Sequence, residues 1–382
     1  MRRAGEAERE RVHETFAALC RIESPSGRER GCADWVSAEL ETMGIEVHED
    51  ASGPAVGSDA GNLLARIAGA GDASILLCAH LDTVPPVSPI DPVLTDGYWE
   101  NANEGILGAD NKSAVAVILE LARRLITAPE PPPVGIEVLF TVCEEVSLRG
   151  SREFDVSQLH SAFGYVFDHA TPIGEVVVAS PTHYRIIAAL RGRAAHAGVR
   201  PEAGRNAIAV AARAIAAMAL GRLDAETTTN VGMIDGGNAI NVVPERCRVE
   251  AEVRSLDEIR AAAVTTEMID HFEDAANVGE CDLDLTVERM FKGYRTKARA
   301  PQLGVAERAL RACGYEPTQI QSGGASDANS FEAAGFACTC LADGTERNHE
   351  PGERISAAVL ESLFEVAIEL VDEAARELSP PA

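Results

Sequence analysis

Imidazole and carboxylate groups recur in this sequence just after short apolar runs. His80 and Asp82 stand in AHLDT, Glu144 and Glu145 in VCEEV, Asp168 and His169 in FDHA, and His349 in NHEPGE. Asp110 joins them by another route, following Gly105 and Gly108 and opening a helix at about Lys112. A donor mixture of this kind, without thiolate, suits zinc, with cobalt or manganese as alternatives. One ion would take His80, Asp110 and Asp168, and a second Asp110, Glu145 and His349, so the two oxygens of Asp110 would serve both. Two divalent ions, three ligand carboxylates and one hydroxide sum to neutrality. Asp82, two residues beyond His80, is placed to accept the other ring N–H and fix the tautomer. Glu144 is left without a ligand role. Hydrolysis needs such a carboxylate, which takes a proton from the attacking water and returns it to the leaving amine. Each piece has a plainer reading: Asp110 as a helix N-cap, the Glu-Glu pair as a solvated strand end.

The elements that must position these groups follow from hydrophobic patterning. Ser74 to Ala79, Val134 to Val142 and Phe163 to Phe167 are nearly continuous apolar runs, as expected of strands buried on both faces of a parallel sheet. Between the first two lies a Gly-, Asn- and Pro-rich loop, then the helix to Thr127, which Pro129 and Pro131 to Pro133 stop. In an open parallel sheet the carboxyl ends of the strands share one edge, where residues distant in sequence converge. From His183 the order changes to strand (Tyr184 to Leu190), helix (Asn206 to Leu220), strands (Thr227 to Ile234 and Arg246 to Arg254), helix (Leu256 to Ala276) and strand (Cys281 to Arg289). This is the split βαβ order of a ferredoxin-like sandwich. The first pattern then returns, with a helix near Leu303 to Cys313, a strand near Ala337 to Leu341 and a closing helix from Ser356. The expected fold is α/β: a mostly parallel catalytic domain over 1–182 and 294–382, interrupted by an inserted α+β domain over 183–293.

Composition narrows the function. At 382 residues the chain is long enough for two cores. Acidic residues outnumber basic ones 60 to 34, a formal charge of −26, and aromatics are 4%. Nucleic acid would be repelled by that charge and would find no stacking platform, so it is not an expected partner. The most apolar run, Ala207 to Leu220, is interrupted by Arg213 and falls short of a bilayer span, so no membrane partner is expected either. Nine cysteines without a CxxC pair, behind a charged N-terminal stretch unlike a signal peptide, point to reduced thiols and a cytoplasmic protein. Cys338 and Cys340 form a CxC whose alternation places both on one strand face.

The segments AHLDTVPP, GILGADNKSAVAVILE, TVCEEVSLRGS, FDHA, GRAAHAGVRPEAGRNAI, NVVPERCRVEAEVRSLD, SGGASDAN and NHEPGE resemble the peptidase T-like branch of the di-zinc aminopeptidase, carboxypeptidase G and desuccinylase superfamily. The resemblance implies the same ligand set, with Asp110 bridging, Glu144 as base and Asp82 behind His80. It also implies a cis peptide between Asp110 and Asn111, and dimerisation through the inserted domain. His196 in AAHAG would reach into an active site and hold the oxyanion. Asn241 and Arg254 match positions that hold the substrate or its tetrahedral oxyanion, and Gly324 and Ser326 lie in a substrate-side loop. Ser147 stands where glycine commonly follows the Glu-Glu pair, and His169 where a glycine or small residue is usual, the latter bearing on the pocket wall and the substrate. The resulting expectation is a two-zinc peptidase releasing the N-terminal residue of short peptides, most like an aminotripeptidase. The alternatives are a carboxypeptidase or N-acyl amino acid deacylase at the same ions, and a catalytically inactive binding protein on the same fold.

Overall fold

A computed structural model describes residues 3–378; residues 1–2 and 379–382 of the two outer expected segments lie outside the described residues. The chain divides into two compact units. The first runs to Val178 and resumes over Thr296–Ser322 and from Ser326 onward; the second comprises Ala179–Arg295 with Gly323–Ala325.

The first unit is built on a mixed sheet with a parallel centre. Its strands lie in the order Val47–Glu49, Leu63–Ile67, Gly135–Thr141, Ser74–His80, Gly164–Phe167, Cys338–Leu341 and Glu175–Ser180. The four from Gly135–Thr141 to Cys338–Leu341 run parallel, and the flanking ones are antiparallel. Every residue of Ser74–His80 and Gly135–Thr141 is buried, which explains their unbroken apolar character. Register places His80 opposite Thr141, and Phe167 opposite Leu341, at one edge. All the chemistry-bearing loops leave from that edge. The strands Leu63–Ile67 and Glu175–Ser180 carry no period long enough to stand out in the sequence, and were not among the expected elements.

The central helix, Ala109–Thr127, packs on Ser74–His80 and against the helices Glu6–Cys20 and Ala357–Leu378. Its entry depends on Gly108, which sits at φ 77° with the Thr83 methyl 3.3 Å from where a Cβ would stand. Asp110 and Asn111 depart from helical geometry, and the peptide between them is cis.

The second unit is a five-stranded antiparallel sheet in the order Gly221–Arg222, Thr227–Gly236, Arg246–Ser255, Thr182–Arg191, Asp282–Phe291. The last strand thus lies beside the first, the arrangement the split βαβ order calls for. Helices Ala207–Ala217 and Glu258–Gly279 cover one face. Ile186, Ala188, Leu190, Val249, Ala251 and Val253 point into that core. The alternate residues Arg185, Arg248 and Glu250 pair across the other face. The first helix is shorter than its apolar run, because Met218 is already extended and the chain turns into the short strand at Gly221.

Candidate dinuclear metal site

Four strand ends and one helix entry deliver the acidic and imidazole groups to one place. His80 ends its strand; Glu144 and Glu145 follow Gly135–Thr141; Asp168 follows Gly164–Phe167; His349 lies beyond Cys338–Leu341. The His80 Nε2 atom is 3.1 Å from one oxygen of Asp110 and 3.7 Å from Asp168 Oδ1. The second oxygen of Asp110 faces the other way, 3.3 Å from His349 Nε2, which in turn is 2.9 Å from Glu145 Oε2. Within each triplet the candidate ligand atoms all lie within 4.8 Å of one another. The five residues expected to ligate are thus brought together in two sets that share Asp110.

The orientation of His80 suits a ligand. Its Nδ1 is 2.9 Å from the backbone oxygen of Asp82, which can only accept, so a neutral ring carries its proton there and turns the Nε2 lone pair toward the carboxylates. The Asp82 side chain does more than the sequence predicts. Its carboxylate lies 3.5 Å from the ring nitrogen, and it also accepts from the backbone N–H groups of Glu144 (2.9 Å) and Glu145 (3.2 Å) and from the Ser26 hydroxyl (2.6 Å). The strand end turns sharply here, with Cys143 at φ 54°, and Asp82 satisfies the amides the turn exposes. It fixes His80 through its main chain and the Glu-Glu pair through its side chain.

The electrostatics are those of crowded buried acids. Burial, with the nearby Asp168 charge, pushes Glu144 well above the usual carboxylate range, and burial also raises Asp168 and Glu145. Burial works against the Asp110 carboxylate too, yet the hydrogen bonds from His349 and His80 hold it below the usual range. At His80 burial opposes the charge, but Asp110, Asp168 and Asp82 together outweigh it and raise the ring well above an ordinary imidazole, while Asp110 and Glu145 lift His349 to about 10. Glu145 Oε1 is buried without a hydrogen-bond partner. A nest of acids with two imidazoles and an orphaned carboxylate oxygen is chemically suited to divalent cations.

Several further residues support these groups. Asn111 spans the gap between two ligand strands, its Oδ1 3.4 Å from the His80 N–H and its Nδ2 donating to the Phe167 carbonyl at 2.6 Å. Asn348 donates to Asp110 Oδ2 at 2.8 Å. Asp327, fully buried, accepts from the Thr141 hydroxyl at 2.5 Å. Glu353 accepts from three backbone amides around Asp110, and burial pushes it up to about 7. Asn348 and Glu353 flank His349 in NHEPGE; polar residues next to a ligand in a tight loop are the one signal that pointed to them.

The residues expected on the substrate side have different surroundings. Ser326 is buried beside the helix Asp327–Ala333, its N–H donating to Asn329 Oδ1. The other four belong to the second unit. His196 and Asn241 are exposed and adjacent, because Ala195–Ala197 pairs with Asn241–Val243 through backbone bonds. Arg254 turns its guanidinium to Glu252 Oε2, at 3.2 and 3.3 Å, and to the Gly323 carbonyl, while the Gly324 carbonyl accepts from Ser180.

Comparison with known proteins agrees with the fold. Residues 183–280 match the peptidase dimerisation domain model, and 62–170 match peptidase family M28. An uncharacterized Bacillus subtilis protein, YqjE, is 33% identical over 368 residues, covering 96% of this chain and 99% of its own. The crystal structure of aminopeptidase PepT from Bacillus cereus superposes with a TM-score of 0.87 at 35% identity, and that of a Staphylococcus aureus tripeptidase with 0.91 at 32%, each covering 96% of this chain and 99% of the other. A probable carboxypeptidase of Paracoccidioides brasiliensis is 30% identical over 308 residues, 71% of this chain and 69% of that one. The chain is a peptidase of the di-zinc aminopeptidase, carboxypeptidase G and desuccinylase superfamily. Within it, the end-to-end likeness to PepT and to the tripeptidase sets it in the peptidase T-like branch.

Proposed function

We propose that the protein is an aminotripeptidase-like enzyme, holding two zinc ions and releasing the N-terminal residue of short peptides. The observation that carries this reading is the division of the Asp110 carboxylate, one oxygen toward His80 and Asp168, the other toward Glu145 and His349. When bound, such an ion pair polarises the scissile carbonyl and acidifies water. Glu144, buried but free of ligand duty, takes the proton from the attacking water and later gives it to the leaving nitrogen. Its burial beside both donor sets fits both halves of that task. Asp82 holds the Glu144 backbone still during the transfer. His196 is assigned the developing oxyanion, and Asn241, Arg254, Gly324 and Ser326 the substrate; these roles rest on the motif match and, for His196, on an exposed imidazole. Dimerisation through the inserted unit rests on the family model that matches it. A reducing, cytoplasmic setting is supported by the nine free cysteines, seven of them buried. No helix among the described residues is long and apolar enough to cross a membrane.

The test offers tripeptides, dipeptides and N-acyl amino acids to the metal-loaded protein, with and without chelator. The proposal expects chelator-sensitive trimming of the free amino end of tripeptides. The fungal relatives named as carboxypeptidases favour a second reading, removal of the C-terminal residue. A preference for N-blocked substrates, or products shortened from the carboxyl end, would decide for it.

A further inference from the structure

Glu353 has no place in the reaction as derived, yet it is 1% exposed and carries its carboxylate beside the Asp110 backbone. Its Oε2 accepts from the N–H of Leu107 at 2.9 Å and of Gly108 at 2.8 Å, and its Oε1 from the N–H of Asp110 at 2.9 Å. The Gly108 and Asp110 amides are orphan donors of a helix start, where no preceding turn offers carbonyls, and the Leu107 amide stands one residue before it. Burial leaves them no water. A single carboxylate from more than 240 residues away satisfies all three.

The segment that supplies it also carries His349. Glu353 donates its own N–H to Glu350, Gly352 donates to the Gly105 carbonyl, and Asn348 reaches Asp110 Oδ2. The loop bearing the shared carboxylate and the loop bearing the outer imidazole are therefore tied together, with Glu353 as the buried knot. We infer that Glu353 is a positioning residue, which sets the angle of Asp110 between the two donor sets and the distance from it to His349. A glutamine cannot replace it in kind, since both oxygens accept and an amide group would oppose one of the N–H donors.

This inference rests on the two-ion reading, and cobalt titration separates the two. Wild type should bind two Co2+ ions with a characteristic visible absorption. E353Q should fold, bind both ions with at least one about 10–100-fold more weakly, show an altered cobalt spectrum, and lose kcat about 10–100-fold with KM within about twofold. E353D, which keeps the charge one methylene shorter, should recover part of the affinity, and is the variant to read where E353Q does not fold. Glu137 supplies the matched control. It is a buried carboxylate that accepts from the backbone of His160 and Ser161, on another part of the first unit. E137Q should lower stability and leave the cobalt spectrum and affinity as in wild type. Wild-type affinity and spectrum in folded E353Q, or in E353D where that is the variant read, overturn the positioning role. Fewer than two ions in wild type overturn the two-ion reading, and this inference with it.

Discussion

The two units place their candidate residues in opposite physical settings. In the first, His80, Asp82, Asp110 and Glu144 are buried, and further carboxylates occupy the backbone amides of the loops that carry them. In the second, His196 and Asn241 are exposed, and the neighbouring Ile240 is fully open to solvent. Buried polar groups without partners are costly, so the first setting calls for loops that are tied, and tied loops hold ligand atoms in register. The exposed setting imposes no such demand. The candidate ligands and base thus sit among packed, tied loops, and His196 and Asn241 on an exposed surface.

The contrast can be broken by experiment. D110N should do the most damage: loss of tight metal binding measured by elemental analysis, and a fall in kcat of about 10^4-fold or more, since the ions and the base then fail together. E144Q should keep its metal and lose about 10^4-fold in kcat, the upper range for general acid–base catalysis. Substantial turnover in E144Q would remove Glu144 as the base. H196A should lose about 10^2–10^3-fold in kcat, the scale of one oxyanion donor, with metal content and melting temperature unchanged because the ring is exposed. A melting temperature that drops with H196A would mean the second unit is as tied as the first.

The smallest effect concerns pH. Contact with His183, and then Arg254, outweighs the burial that opposes it and lowers Glu252 to about 2 from an ordinary value of 4.5. A carboxylate depressed in the folded state stabilises fully above its unfolded value, and that contribution fades as pH falls from 4.5 toward 2. Urea melts of wild type and E252Q should therefore differ at neutral pH and converge in acid. The pair is partly solvated, so the difference should be modest. Parallel curves at all pH values would show that Glu252 is not held by its neighbours.

Much of the site was legible because strand and helix periods place their ends predictably. Unbroken apolar runs ending at Ala79 and Val142 marked interior strands, so the carboxylates and imidazoles just beyond them had to share an edge. The function of Asp82 was less legible. Its nearness to His80 in sequence pointed to the ring, whereas the amides it satisfies belong to residues 62 and 63 positions away. Asn111, Asn348 and Glu353 were harder still, because a hydrogen bond to backbone leaves no trace in side-chain spacing.

The sequence by itself determined the layered α/β architecture and the identity of the acidic and imidazole residues at one sheet edge, since these follow from local periodicity and residue type; the family followed from the resemblance of its motifs. The tertiary structure alone decided which oxygen of Asp110 faces which imidazole, which buried carboxylates serve backbone amides rather than cations, and that Arg254 is paired with Glu252. Such choices turn on distances of a few ångströms between segments far apart in the chain, and only their packing fixes those distances.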